Sequence, residues 1–170
     1  LSLNRKSLAL CALFALSGCG FAPLYGGARG QAASAGLESV YVQNIPERTG
    51  QILRETLQQQ LHTQGQPVTE HYTLSVSYSI MQTGEGVQAD SSTSRTRFNA
   101  HAAWSLSPIG HPSKTLISGN ATAMDALNII DQQYFAANLE TETVNQQLAN
   151  EISAQITTQL AAWFRAHPES

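Results

Sequence analysis

Apolar positions recur along the chain with two different spacings. From His71 to Met81 every second residue is apolar, with Tyr72, Leu74, Val76, Tyr78 and Ile80 on one side and His71, Thr73, Ser75, Ser77 and Ser79 on the other. A strand that buries one face has this period. A second alternating run sets Phe98, Ala100, Ala102, Trp104 and Leu106 inward and Arg95, Arg97, Asn99 and His101 outward. The turn residues from Ser107 to Pro112 then lead into a weaker alternation over Thr115 to Met124, a further strand. Val40 to Asn44 is a short strand stopped by Pro46, which has no N–H for a ladder. The polar stretch from Gln82 to Ser94, with two glycines, reads as a loop.

Two segments carry the helical spacing instead. Between Arg48 and Gln64, Ile52, Leu53, Leu57 and Leu61 form one stripe, ended by Gly65 and Pro67. From about Asn138 to Ala166, Val144, Leu148, Ile152, Ile156 and Leu160 lie four apart, and Trp163 with Phe164 closes the stripe. The opposite face holds Gln, Asn, Glu and Thr, so this helix is expected to pack its aromatic end on a sheet rather than on a partner. The order β-α-β-β-β-α predicts an α+β fold: a two-layer sandwich in which a four-stranded sheet carries two helices on one face. The other sheet face, rich in Ser, Thr, His and Arg, is left for water or a partner.

The first residues follow another pattern. Arg5 and Lys6 precede an apolar run from Leu8 to Leu16, and Ser17-Gly18-Cys19-Gly20 ends it with small residues. The run is about half the roughly 20 residues that cross a bilayer, so residues 1–18 read as an export signal. Leu16-Ser17-Gly18-Cys19 has the form of a bacterial lipobox, and Cys19 is the expected lipid attachment site, where several acyl chains, palmitate among them, make a stable anchor. Residues 19–37 are then a lipid-anchored tether and linker, with Gly27 to Gly36 flexible, and residues 38–170 a single periplasmic domain. Cys11 lies inside the signal, so the processed chain has no internal disulfide to rely on.

Charge and motifs narrow the function classes. Nine basic against twelve acidic residues give −3, and loss of Arg5 and Lys6 leaves seven against twelve, or −5. A broadly basic nucleic-acid surface is excluded. No zinc-binding H-E-x-x-H, nucleophile elbow or phosphate-cradling glycine loop occurs. His62, His71, His101, His111 and His167 share no ligand spacing, and Asp125 and Asp131 read as caps of the last helix or of the turn before it. The sequence implies no catalytic residue, no metal and no cofactor.

The run Gly18-Cys19-Gly20-Phe21-Ala22-Pro23-Leu24-Tyr25-Gly26, the segment from Ala126 to Ala136, Leu148-Ala149-Asn150-Glu151-Ile152 and Gln159-Leu160-Ala161-Ala162-Trp163-Phe164 together resemble the LPS-assembly lipoprotein family of the LptE type, in its alphaproteobacterial form. The resemblance implies a non-enzymatic outer-membrane lipoprotein that plugs and helps assemble an LptD-type β-barrel and assists lipopolysaccharide delivery to the cell surface. Arg95 and Arg97, two apart on one strand face, are the first candidates for lipopolysaccharide phosphate, since a guanidinium can offer two parallel N–H donors. Lys114, expected on the following strand at the far end of the hairpin, is a separate candidate. For all three the plainer role is solvated charge that discourages strand pairing. A structural or envelope-organising outer-membrane lipoprotein, bound to peptidoglycan or to another assembly machine, is the alternative.

Overall fold

The computed structural model describes residues 27–62, 69–87, 93–128 and 134–168, so the signal, Cys19 and Asp131 lie outside the described residues. The elements are α1 (Gly27–Glu38), β1 (Val40–Val42), α2 (Glu47–Leu61), β2 (Tyr72–Val87), β3 (Thr93–Pro108), β4 (Ile117–Asn128) and α3 (Tyr134–Ala166). The strands form one sheet in the order β1-β2-β3-β4. Parallel strands need a crossover, and α2 supplies it between β1 and β2, aligning Val40 with Tyr72. The remaining pairs are antiparallel, with Leu74 opposite Leu106 and Leu106 opposite Ile117. The α+β sandwich expected from the sequence is present, with one further helix in front.

The inward-facing positions form the core. Leu53, Leu57 and Leu61 of α2, Phe98, Trp104 and Leu106 of β3, and Leu148, Ile152, Ile156 and Leu160 of α3 are all buried. Each such side chain stabilises the fold by about 1.5–3 kcal/mol relative to exposure. Between the large residues of β3 lie Ala100 and Ala102, opposite Ala123 and Ala121 of β4, all four buried. This small-residue floor leaves room for α3, which approaches β4 and β3 closely. Phe164 meets the ring of Tyr72 at 5.3 Å and Trp163 at 5.0 Å in edge-on geometry, so the aromatic end of α3 packs on the sheet as its spacing suggested.

Several boundaries differ from the sequence reading. Gly27 to Gly36 is part of α1 rather than a flexible linker, with Ala33 and Leu37 buried, so the folded unit begins before residue 38. Its alanines favour a helix but give almost no apolar stripe, which is why periodicity misses it. Gln82 to Ser94 is not all loop either, since β2 runs on to Val87 and β3 starts at Thr93. A ladder is made by backbone groups, and polar side chains do not prevent it. β4 is shifted to 117–128, which leaves Lys114 in the β3–β4 connection and not on a strand. Asp125 lies within β4, where its Oδ1 accepts from the N–H of Ala126 at 2.7 Å, and caps no helix.

The Tyr78 hydroxyl is buried without a hydrogen-bond partner among the described residues, and burial pushes its pKa up from 10.0 to about 12. The folded state then holds this proton more tightly than the unfolded chain, so stability should fall as pH rises from about 10 towards about 12. Tyr78→Phe removes the orphaned hydroxyl. It is expected to raise stability at neutral pH by about 1 kcal/mol and to flatten the alkaline decline, as followed by urea unfolding at several pH values.

Candidate functional site

The sheet face turned away from the helices is built in rows across β2, β3 and β4. Ser75, Ser105 and Ser118 form one row, and Ser79, His101 and Thr122 another. Towards the β2–β3 hairpin end the rows become Met81, Asn99 and Met124, then Thr83, Arg97 and Ala126, then Glu85, Arg95 and Asn128. The alternation that points apolar side chains at the helices leaves this face hydroxyl- and amide-rich. Met81 and Met124, 70% and 62% exposed, are its large apolar side chains and stand on either side of Asn99.

The structure brings Arg95 and Arg97 together at one end of this face. Arg97 donates from Nη2 to Glu85 Oε1 at 2.8 Å, with both side chains partly exposed. An ion pair so open to water contributes at most about 1 kcal/mol, so an anion can replace Glu85 at little cost. Arg95 is exposed one row further out, in register with Glu85. Lys114 is not part of this cluster: the strand length between Arg95 and Pro108 alone is about 40 Å, and Lys114 lies beyond it. Lys114 instead borders a cleft of about 750 Å³ floored by Ala32, Ala35, Tyr72, Leu116 and Phe164.

Two glutamines hold an edge that the sequence reading left unassigned. The Gln155 side chain accepts from the N–H of Thr122 at 3.2 Å and donates to its carbonyl at 2.9 Å. Gln159 donates to the Asn120 carbonyl at 3.1 Å. The Gln155 amide thus stands where a neighbouring strand would supply a peptide group, and α3 closes the outer edge of β4. Their spacing of four on the polar face of α3 was visible in the sequence, but nothing there said that a strand edge would meet them.

The histidines serve local contacts. His62 Nε2 lies 3.3 Å from the Val40 carbonyl, His101 is exposed on the outer face, and His167 stacks on Trp163 with centroids 4.8 Å apart. Among the described residues no three His, Cys, Asp or Glu side chains converge as a metal site would require, and no helix is long and apolar enough to cross a membrane.

The profile of the family described as "LptE: Lipopolysaccharide-assembly" matches residues 37–160. Among solved structures, a protein from Caulobacter crescentus is similar over 80% of this chain and 97% of its own, with TM-score 0.62 and 23% identity. A minor lipoprotein from Acinetobacter baumannii gives TM-score 0.57 at 15% identity over 74% of this chain and 92% of its own. Rare lipoprotein B from Shewanella oneidensis gives 0.53 at 10% identity, covering 77% and 97%. These likenesses establish a shared fold. No curated protein matches the sequence.

Proposed function

Since the chain belongs to the LptE family of lipopolysaccharide-assembly proteins, which are not enzymes, we propose that it is an outer-membrane lipoprotein, anchored through Cys19, that sits inside an LptD-type β-barrel as its plug and assists lipopolysaccharide passage. The observation that carries this reading is the outer sheet face. A face of serines, threonines, asparagines and arginines on a rigid four-stranded sheet suits the polar interior of a large barrel. It would be poorly matched to lipid.

Mild-detergent pull-down of the tagged lipoprotein from outer membranes tests this, with mass spectrometry for partners and a stain for lipopolysaccharide. One large barrel recovered in near-equal amount is the expected result. Recovery of the lipoprotein alone, or with peptidoglycan-associated proteins, would overturn it in favour of an envelope-organising role.

Within this reading the paired arginines meet lipopolysaccharide phosphate. Arg95→Glu combined with Arg97→Glu is expected to weaken lipopolysaccharide binding about tenfold, or about 1.4 kcal/mol. Both side chains lie on the solvent side of β3, so far-UV circular dichroism and the thermal midpoint should stay near those of the unaltered chain. Unchanged affinity removes the site. Lys114, at the other end of the molecule, is an independent contact tested by Lys114→Glu alone.

A further inference from the structure

We infer that the open edge of β2, from Val76 to Gln82, is a docking strand on which an extended segment of the partner polypeptide extends the sheet, in the place that β1 leaves after Val42. Alternation along β2 sets which backbone groups point outward. Tyr72 donates its N–H to the Ser39 carbonyl at 3.2 Å, and the Leu74 carbonyl accepts from Gln43 N–H at 3.0 Å, so these even-numbered residues face the β1 side. The β2–β3 register runs without a bulge from Tyr72 opposite Pro108 to Glu85 opposite Arg95, and alternation therefore turns Val76, Tyr78, Ile80 and Gln82 outward as well. The chain of β1 has already left, since Ile45 is buried and α2 begins at Glu47. Among the described residues, no hydrogen bond reaches the outward N–H and C=O groups of these four residues.

The two edges of the sheet are treated differently. The β4 edge is closed by Gln155 and Gln159, and Asp125 covers the N–H of Ala126. From Val76 to Val87, β2 has no Lys, Arg or Pro, the residues that usually keep strands from pairing, and its single charge is Glu85. Val76, Tyr78 and Ile80 are only partly buried beside that edge.

The occupant is defined by what such an edge recognises. Donors and acceptors alternating every second residue over about 20 Å are matched by an extended peptide backbone and by little else. An added strand would lay alternate side chains beside Val76, Tyr78 and Ile80, so its helix-side residues should be apolar and the others polar. On the plug reading, on which this inference rests, the partner is a closed barrel whose wall strands have no free edge. The segment is therefore a loop or tail of the barrel protein reaching into the lumen.

The test compares amide hydrogen exchange at single-residue resolution in the isolated lipoprotein and in the copurified barrel complex. Tyr78, Ile80 and Gln82 amides should slow at least about tenfold in the complex, whereas Ser77, Ser79 and Met81, already bonded to β3, should be slow in both. Gln82→Pro replaces one outward N–H and spares the β2–β3 ladder. It should cut barrel recovery about tenfold, and Met124→Pro, the same change on the β4 edge, should not. If Gln82→Pro melts early, the exchange pattern of the unaltered complex decides alone. Full recovery with Gln82→Pro, equal loss with both variants, or exchange without the even-odd pattern overturns the inference while the plug reading stands. A native chain that brings down no barrel removes both.

Discussion

Phe98→Ala is expected to lower the stability of the domain by about 3–5 kcal/mol, measured by urea unfolding. Phe98 is 2% exposed and is the last large buried side chain of β3 on the way to the hairpin end. Its strand neighbour on the opposite face is Arg97, with Arg95 two residues beyond, so the ring that fills the core also fixes the strand presenting both arginines. Truncation leaves a cavity that the surrounding sheet, held in register on both sides by Gln82 and Asp125, can close only in part. Faster amide exchange at Arg95 and Arg97 should accompany the lost stability. A cost below about 1 kcal/mol would mean that this end of the sheet is held by something other than the Phe98 ring.

Gly119→Val should be nearly as damaging, by overpacking instead of a void. A β-carbon at Gly119 would lie 2.8 Å from Cζ2 and 2.9 Å from Cε2 of Trp104, and 2.6 Å from Oε1 of Gln159. Gln159 can swing aside only by giving up its bond to the Asn120 carbonyl, and Trp104 is 3% exposed, so moving its ring disturbs the close packing of the core around it. The branched side chain of valine adds two methyl groups to that conflict. We expect a loss of about 3 kcal/mol, or roughly 10 °C in thermal midpoint. Because the clash falls between β4 and α3, the amide of Thr122 should exchange faster as the Gln155 contact is disturbed. A midpoint within about 2 °C of the unaltered chain would show that α3 can lift from β4 at no cost, and the close packing described above would be wrong.

Much of this architecture follows from periodicity. The alternation on β3 identified Phe98, Ala100, Ala102, Trp104 and Leu106 as core, and all five are buried. The α3 stripe from Val144 to Phe164 was legible for the same reason, because a long helix against a sheet has to show its apolar residues every three or four positions. The family was legible too, from separated segments in the right order, and the matched residues 37–160 span the predicted strands and both predicted helices through Leu160.

What failed to show in the sequence lacked such a driving pattern. The α1 helix buries little beyond Ala33 and Leu37, and its dock is a glycine: a β-carbon at Gly36 would come within 2.5 Å of the Phe164 ring. A close approach of that kind leaves only a Gly in the sequence, which reads equally well as linker. The outer part of the hairpin, from Gln82 to Glu85, pairs through its backbone while its residues are polar or glycine, so its amino acids resemble those of a loop.

The sequence by itself determined which faces are apolar, and with them the two layers, the polar outer face and the neighbouring positions of Arg95 and Arg97. Those properties depend on residues a few positions apart, whose relative placement a strand or helix dictates locally. Tertiary structure alone decided that Lys114 stands in the β3–β4 connection and not on a strand, that Glu85 pairs with Arg97, and that Gln155 and Gln159 close the β4 edge while, among the described residues, nothing bonds to the β2 edge from Val76 to Gln82. Each of these depends on strand register or on where α3 crosses the sheet, and packing sets both between residues distant in sequence.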